Sequence, residues 1–199
     1  MRYALVFDFG GVIMKTVTHA PRWAWDEQLG LERGSVERAV HNADSWRRAQ
    51  TGELPLEDYW ADVAQQLRHP VDDMPKLEAD FYSGDQLDED ILSLIRNRKA
   101  AGQKIALLSN DSPTLIDKLD RLGIASLFDP LVVSASIGVM KPAPAAYHAV
   151  LERLGYPAAD TVFIDDMPAN IEGALAVGMI GIRYTPELNL AQILEPFFQ

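Results

Sequence analysis

The sequence contains no cysteine. Disulfides, thiolate nucleophiles and cysteine-ligated metals are therefore excluded. Basic residues are also scarce: 18 Lys and Arg stand against 29 Asp and Glu, a formal net charge of −11. Nucleic acids and anionic membranes both need a basic face, so neither is expected as a partner. An anionic small molecule stays open, because it responds to the local field of a cleft rather than to net charge. Long apolar runs are missing too. The first, Tyr3 to Phe7, is broken by Asp8, far short of a signal-peptide core or of the roughly 20 apolar residues of a membrane span. The expectation is a cytoplasmic monomer or homodimer. His19, His41, His69 and His148 show no metal-ligand spacing. Nucleophile elbow, Walker loop and dinucleotide fingerprint are all absent.

Nearly half of the 199 residues are apolar, enough for a sizeable core in one domain, or in a core with an insertion. Three apolar runs end in polar groups: Tyr3–Phe7 before Asp8, Lys104–Leu108 before Ser109-Asn110-Asp111, and Thr161–Ile164 before Asp165-Asp166. Each reads as a strand buried on both faces. Leu131–Val133 and Ile180–Ile182 are shorter candidates. Helical patterns separate the runs. Ser112 and Pro113 are expected to cap and start a helix that stops at Gly123. Tyr147, Val150, Leu151 and Leu154 form a second stripe, and Pro168, Ile171, Ala174 and Leu175 a third. Alternating strands and helices predict an α/β chain with a doubly wound parallel sheet.

Between about Lys15 and Gln86 no buried-strand run appears. Helical patterns over Trp23–Leu29, Ser35–Asn42, Leu56–Leu67 and Pro75–Tyr82 replace it, and all four tryptophans lie there. The expected organisation is a core of residues 1–14 and 87–199, with a helical cap over residues 15–86.

Ligands of parallel sheets bind outside the C-terminal strand ends, where Asp8, Ser109 and Asp165-Asp166 converge. Each has a plainer reading. Asp8 precedes Gly10 and Gly11 and so fits a simple turn. Ser109-Asn110 suits a helix start, and a loop lysine such as Lys141 is usually just solvated. The adjacent pair Asp165-Asp166 is harder to dismiss. Two neighbouring carboxylates at a buried strand end repel each other and lose hydration, a cost that a hard cation relieves.

In order, Asp8-Phe9-Gly10-Gly11-Val12, Leu107-Leu108-Ser109-Asn110, Lys141-Pro142 and Phe163-Ile164-Asp165-Asp166 resemble the four motifs of the haloacid dehalogenase superfamily, phosphatase branch. The resemblance covers the whole chain, and the helical insertion resembles the family's small cap. It implies Asp8 as nucleophile, with Ser109 and Lys141 as its catalytic partners. Gly11, Ser109, Asn110 and Lys141 would bind substrate. Mg²⁺ would be held by Asp8, the carbonyl of Gly10, Asp165 and Asp166. The implied activity is hydrolysis of a small phosphorylated metabolite, sugar phosphates included, through an aspartyl-phosphate.

One position departs from the pattern. Most family phosphatases carry a second aspartate where this chain has Gly10, and that aspartate protonates the leaving group and later activates water. Such help is typically worth about 10²–10⁴-fold, so its loss need not abolish turnover. A cap residue or Asp111 is a conceivable substitute. Two rivals remain: a metal-free 2-haloacid dehalogenase using Asp8, against which the adjacent acids speak, and a catalytically impaired protein that only binds phosphometabolites. Arg22, Arg47, Arg48 and the tryptophans are candidates to line the cap, although Trp60 fits its core better.

Overall fold

A computed structural model describes residues 2–42 and 44–198. The chain enters through β1 (Ala4–Phe7), whose four residues are all buried. β2 (Met14–Thr16) leads out of the core. The insertion then runs through α1 (Ala20–Gln28), α2 (Ser35–Val40), α3 (Ser45–Gln50), α4 (Leu56–Leu67) and α5 (Met74–Phe81). β3 (Asp85–Leu87) returns the chain, and α6 (Glu89–Ala100) follows, with Asp88 accepting from the Ile91 N–H as its N-cap. The remaining elements are β4 (Ile105–Ser109), α7 (Leu115–Arg121), β5 (Leu131–Val133), α8 (Ser134–Ile137), α9 (Pro144–Leu154), β6 (Thr161–Asp165), α10 (Pro168–Ala176), β7 (Ile180–Arg183) and α11 (Leu190–Leu194).

Five strands form one sheet in the order β5-β4-β1-β6-β7, every pair parallel. The expected doubly wound α/β architecture is therefore the observed one. From β1 the chain winds to β4 and β5 on one side, then crosses to β6 and β7 on the other. The reversal leaves a crevice at the C-terminal end of β1, and Asp8 is the next residue. Alternation within the strands feeds two cores. Leu5, Phe7, Ile105, Leu107, Val162 and Ile164 pack on the α6 and α7 side. Ala4, Val6, Ala106, Leu108 and Phe163 pack on the α9 and α10 side. The insertion has its own cluster, including Trp25, Val36, Tyr59, Val63, Leu77 and Phe81.

Some expectations need correction. β2 and β3 pair as an antiparallel neck, with Lys15 opposite Gln86 and Thr16 opposite Asp85. Each strand has three residues and carries polar side chains, so neither shows as a buried run. α3 was not expected either. α7 begins at Leu115 rather than at Pro113, and its N-cap residue Thr114 makes no side-chain capping bond. Ser112 instead precedes the helix: its N–H donates to Asp111 Oδ1 at 2.7 Å and its carbonyl accepts the Leu115 N–H at 3.3 Å.

Arg22 locks the neck. Its guanidinium donates to the Phe81 carbonyl at 3.1 Å, Glu37 Oε1 at 2.9 Å, Thr16 Oγ1 at 3.0 Å and Asp85 Oδ1 at 3.1 Å. It also lies over the Phe81 ring. Lys15 bonds Asp88 and Tyr184 on the core side of the same neck.

Candidate active site

Asp8, Ser109 and Asp165 leave three adjacent strands at the same end of the sheet. β1 and β6 run level, Phe7 opposite Ile164, and the Asp8 N–H donates to the Ile164 carbonyl at 2.9 Å. This brings two carboxylates side by side at the strand ends. Lys141 arrives from the loop before α9. Its ammonium lies 2.9 Å from Asp8 Oδ1 and 2.7 Å from Asp165 Oδ2, and its side chain is 1% exposed. The solvated-lysine reading therefore fails. Asp8 Oδ1 also accepts the Phe9 N–H at 2.7 Å. Burial raises the Asp8 carboxyl to about 7, with Lys141 pulling it down and Asp165 pushing it up again.

Asp165 is the most heavily bonded acid. Besides Lys141, it accepts from the Met167 N–H at 2.8 Å and from Asn170 Nδ2 at 3.1 and 3.0 Å. Asp166 is half-buried, and burial and then Asp165 raise its carboxyl. Gly11 makes room for it. With φ +77°, Gly11 adopts a left-handed conformation, and a Cβ there would fall 2.5 Å from the Asp166 carboxyl carbon.

Oxygens of Asp8, Asp165 and Asp166 lie within 4.8 Å of one another. Three carboxylates thus face one ammonium in a site where two of the acids are buried. Hard oxygen donors with surplus negative charge suit a divalent cation such as Mg²⁺, so the residues present fit that ion. Asp166, with fewer protein partners than Asp165, is the most available of the three acids.

Asn110 has a role that the sequence did not show. Its Nδ2 donates to the Lys141 carbonyl at 2.9 Å, and its Oδ1 accepts the Lys141 N–H at 2.8 Å. Its side-chain amide braces the lysine, and the residue also lines the cleft. Ser109 ends β4 and is 3% exposed.

A cleft of about 1110 Å³ runs from Gly10, Gly11, Asn110 and Asp166 into the insertion. Trp46, Tyr59, Trp60 and Tyr82 line it, with Lys118 and Arg121 on the core side. Trp60 therefore contributes wall as well as packing. Trp25 is buried in the insertion core and bonds Asp80, while Trp23 stacks on His19. Arg22 reaches the cleft wall, but its guanidinium is committed to the neck. Arg47 and Arg48 are not among the lining residues.

Sequence reasoning also passed over Asn170 and Tyr147. Asn170 lies beside the apolar stripe of α10, and an amide five residues after Asp165 was the available signal. The Tyr147 hydroxyl donates to the Asn170 carbonyl at 2.6 Å.

The nucleophile-like aspartate at the central switch point, the buried lysine and the carboxylate pair define a hydrolase of known type. Residues 4–178 match the haloacid dehalogenase-like hydrolases, and the chain belongs to that family. It is 26% identical over 190 residues to the sesquiterpene phosphatase astK of Aspergillus oryzae, covering 93% of this chain and 91% of that protein. Three other curated relatives are longer, and the chain spans 18%, 43% and 60% of their lengths. Among solved structures, a family enzyme of Bacteroides thetaiotaomicron bound to magnesium and inorganic phosphate superposes with TM-score 0.78 at 16% identity, over 97% and 99% of the two chains. An L-2-haloacid dehalogenase superposes with TM-score 0.72 at 21% identity, over 97% and 98%. At such identities the likeness shows the fold alone.

Proposed function

We propose that the chain is a magnesium-dependent phosphatase that hydrolyses phosphate monoesters of a small metabolite through an aspartyl-phosphate on Asp8. The observation that carries this reading is Asp166. A metal-free dehalogenase needs the nucleophile and a lysine, but it gains nothing from a further carboxylate beside Asp8 and Asp165. A phosphatase uses that surplus negative charge to hold a cation. Asp8, the Gly10 carbonyl, Asp166 and Asp165 are the residues that would hold Mg²⁺. When bound, the ion offsets negative charge on the transferring phosphoryl group.

The residues of the chain perform the rest. The Phe9 N–H and Lys141 fix one carboxylate oxygen of Asp8 and so orient the group. Asp8 attacks phosphorus; an O–P bond forms, the ester P–O bond breaks, and the leaving alcohol takes up a proton. Lys141 and the Ser109 hydroxyl receive the phosphoryl oxygens. Water then attacks phosphorus, the bond to Asp8 breaks, and inorganic phosphate and a proton leave. Asp165 holds the Lys141 ammonium in place, and Asn170 holds Asp165.

Two substrate classes suit the cleft. Sugar phosphates fit a site with Gly10, because an anomeric oxygen leaves with little acid help. Esters of apolar alcohols fit the wall of Trp46, Tyr59, Trp60 and Tyr82, and the resemblance to a sesquiterpene phosphatase points the same way. A panel of phosphate esters from both classes, with p-nitrophenyl phosphate as reference, tests the reading. The expected outcome is Mg²⁺-dependent phosphate release that Asp8→Asn abolishes. Turnover of a 2-chloroacid in EDTA, with no release from any ester, would overturn it in favour of the dehalogenase.

A further inference from the structure

Gln50 closes α3 in the insertion, yet its partners belong to the core. Its Nε2 donates to the Asn110 carbonyl at 2.8 Å. Its own carbonyl accepts from Ser134 Oγ at 2.6 Å. The same Ser134 oxygen accepts the Asp111 N–H at 3.0 Å. Two residues beyond Gln50 the backbones themselves meet: a Cβ on Gly52 would fall 2.7 Å from the Ala135 carbonyl oxygen. The end of α3 is thus seated on the turn after β4 and on the start of α8. It forms an attachment of the insertion to the core separate from the β2–β3 neck.

The residue that Gln50 grips is Asn110, whose side chain holds both backbone polar groups of Lys141, at 2.9 and 2.8 Å. Lys141 in turn reaches Asp8 at 2.9 Å and Asp165 at 2.7 Å. A continuous run of short polar contacts therefore leads from the insertion to the nucleophile. We infer that Gln50 is a positioning residue: seating α3 on the core fixes the turn at residues 109–111 and, through the Asn110 brace, the place of the Lys141 ammonium. Engagement of the insertion and readiness of the lysine are then one coupled state. The chemistry requires an amide donor at position 50. A glutamate of the same shape would turn oxygen lone pairs toward the Asn110 carbonyl.

This inference rests on the phosphatase reading for its kinetic arm only, so the test has a second arm that needs no turnover. Gln50→Glu is compared with wild type and with Gln65→Glu, the same change at an exposed site on α4. Amide hydrogen exchange at Lys141 and Asp111 reads the brace directly in the metal-free protein. kcat and KM are measured on acetyl phosphate, which is too small to need the insertion wall, and on p-nitrophenyl phosphate. Loss of one buried donor predicts exchange at the Lys141 N–H about tenfold faster in Gln50→Glu and unchanged in Gln65→Glu. kcat should fall about tenfold on both compounds, with KM for acetyl phosphate held within about twofold. Adding Gln50→Glu to Asn110→Ala should cost nothing further, as expected for two members of one network. Unchanged Lys141 exchange overturns the inference, and so does a loss confined to KM of the larger ester. If wild type releases phosphate from neither compound, the phosphatase reading fails and the exchange arm still decides the brace. Gln50→Met, which keeps the shape without the donor, replaces the glutamate variant if that variant does not fold.

Discussion

Gly10 stands in open space. A Cβ there would meet nothing within 4 Å, whereas one on Gly11 would strike Asp166. The two glycines thus differ in kind: Gly11 is required by a neighbour, and Gly10 is not required by packing. An aspartate at position 10 should therefore be accepted without displacing anything, and it should supply the missing acid–base group. The expected effect of Gly10→Asp is a larger kcat on an alkyl phosphate such as glycerol 2-phosphate, within the range of about 10²–10⁴-fold for such help. The gain should be much smaller on p-nitrophenyl phosphate, whose leaving group needs little protonation. Equal gains on both esters, or a loss on both, would contradict the assignment. At this scale the sequence was informative about the chemistry and silent about its support. Asp8, Lys141 and the acid pair stood out as polar groups ending apolar strands or joining the motif series. Asn110 stood out only as a substrate contact, and Asn170 and Gln50 not at all, because their bracing roles depend on partners 31, 5 and 60 residues away.

Among the elements, the five sheet strands were legible because each is an apolar run bounded by polar or turn residues. β2 and β3 were not, because Met14-Lys15-Thr16 and Asp85-Gln86-Leu87 become strands only by pairing with each other. The helix α4 could be placed from its helical pattern over Leu56–Leu67. α3 has no such stripe, and contacts with α4 and the core define it. Arg22 shows the limit most clearly: its charge suggested a ligand contact, and the fold uses it to tie α1, α2, α5 and both neck strands. Arg22→Met would leave Asp85 without its cation and Glu37 with only His19 beside it. Removing one partner of a buried ion pair typically costs about 3–5 kcal/mol. Glu37 is one-third exposed, so a loss nearer about 3 kcal/mol is expected. Urea denaturation measures this directly. An unchanged midpoint would show that the neck holds without the arginine.

For the whole molecule, the surplus of buried negative charge sets a pH dependence. Burial lifts the Asp8 carboxyl in the folded chain to about 7, from 3.8 for an ordinary aspartate. A raised acid favours the folded state while it stays protonated. The metal-free protein should therefore lose stability as pH rises from about 4 through about 7. Protons and Mg²⁺ compete for the same carboxylates, so the increase in Tm on adding Mg²⁺ should grow between pH 5.5 and pH 8 and vanish in EDTA. A shift of equal size across that range would place the ion elsewhere. No described helix is long and apolar enough to cross a membrane, in keeping with a chain whose apolar residues are spent on three packed clusters.

The β2–β3 neck has one more consequence. Its paired strands bring the two ends of the insertion side by side, Thr16 opposite Asp85. The segment between them is a parenthesis in the chain, and the sheet does not depend on it for strand order. A two-residue Asn-Gly turn has the geometry to join such antiparallel strands. A chain running from Thr16 through that turn to Asp85 should keep the five-stranded core, as circular dichroism and a cooperative melt would show. The same junction is then a grafting point at which helical inserts from other proteins are exchangeable without rebuilding the sheet, each insert having to return an amide donor to the Asn110 carbonyl.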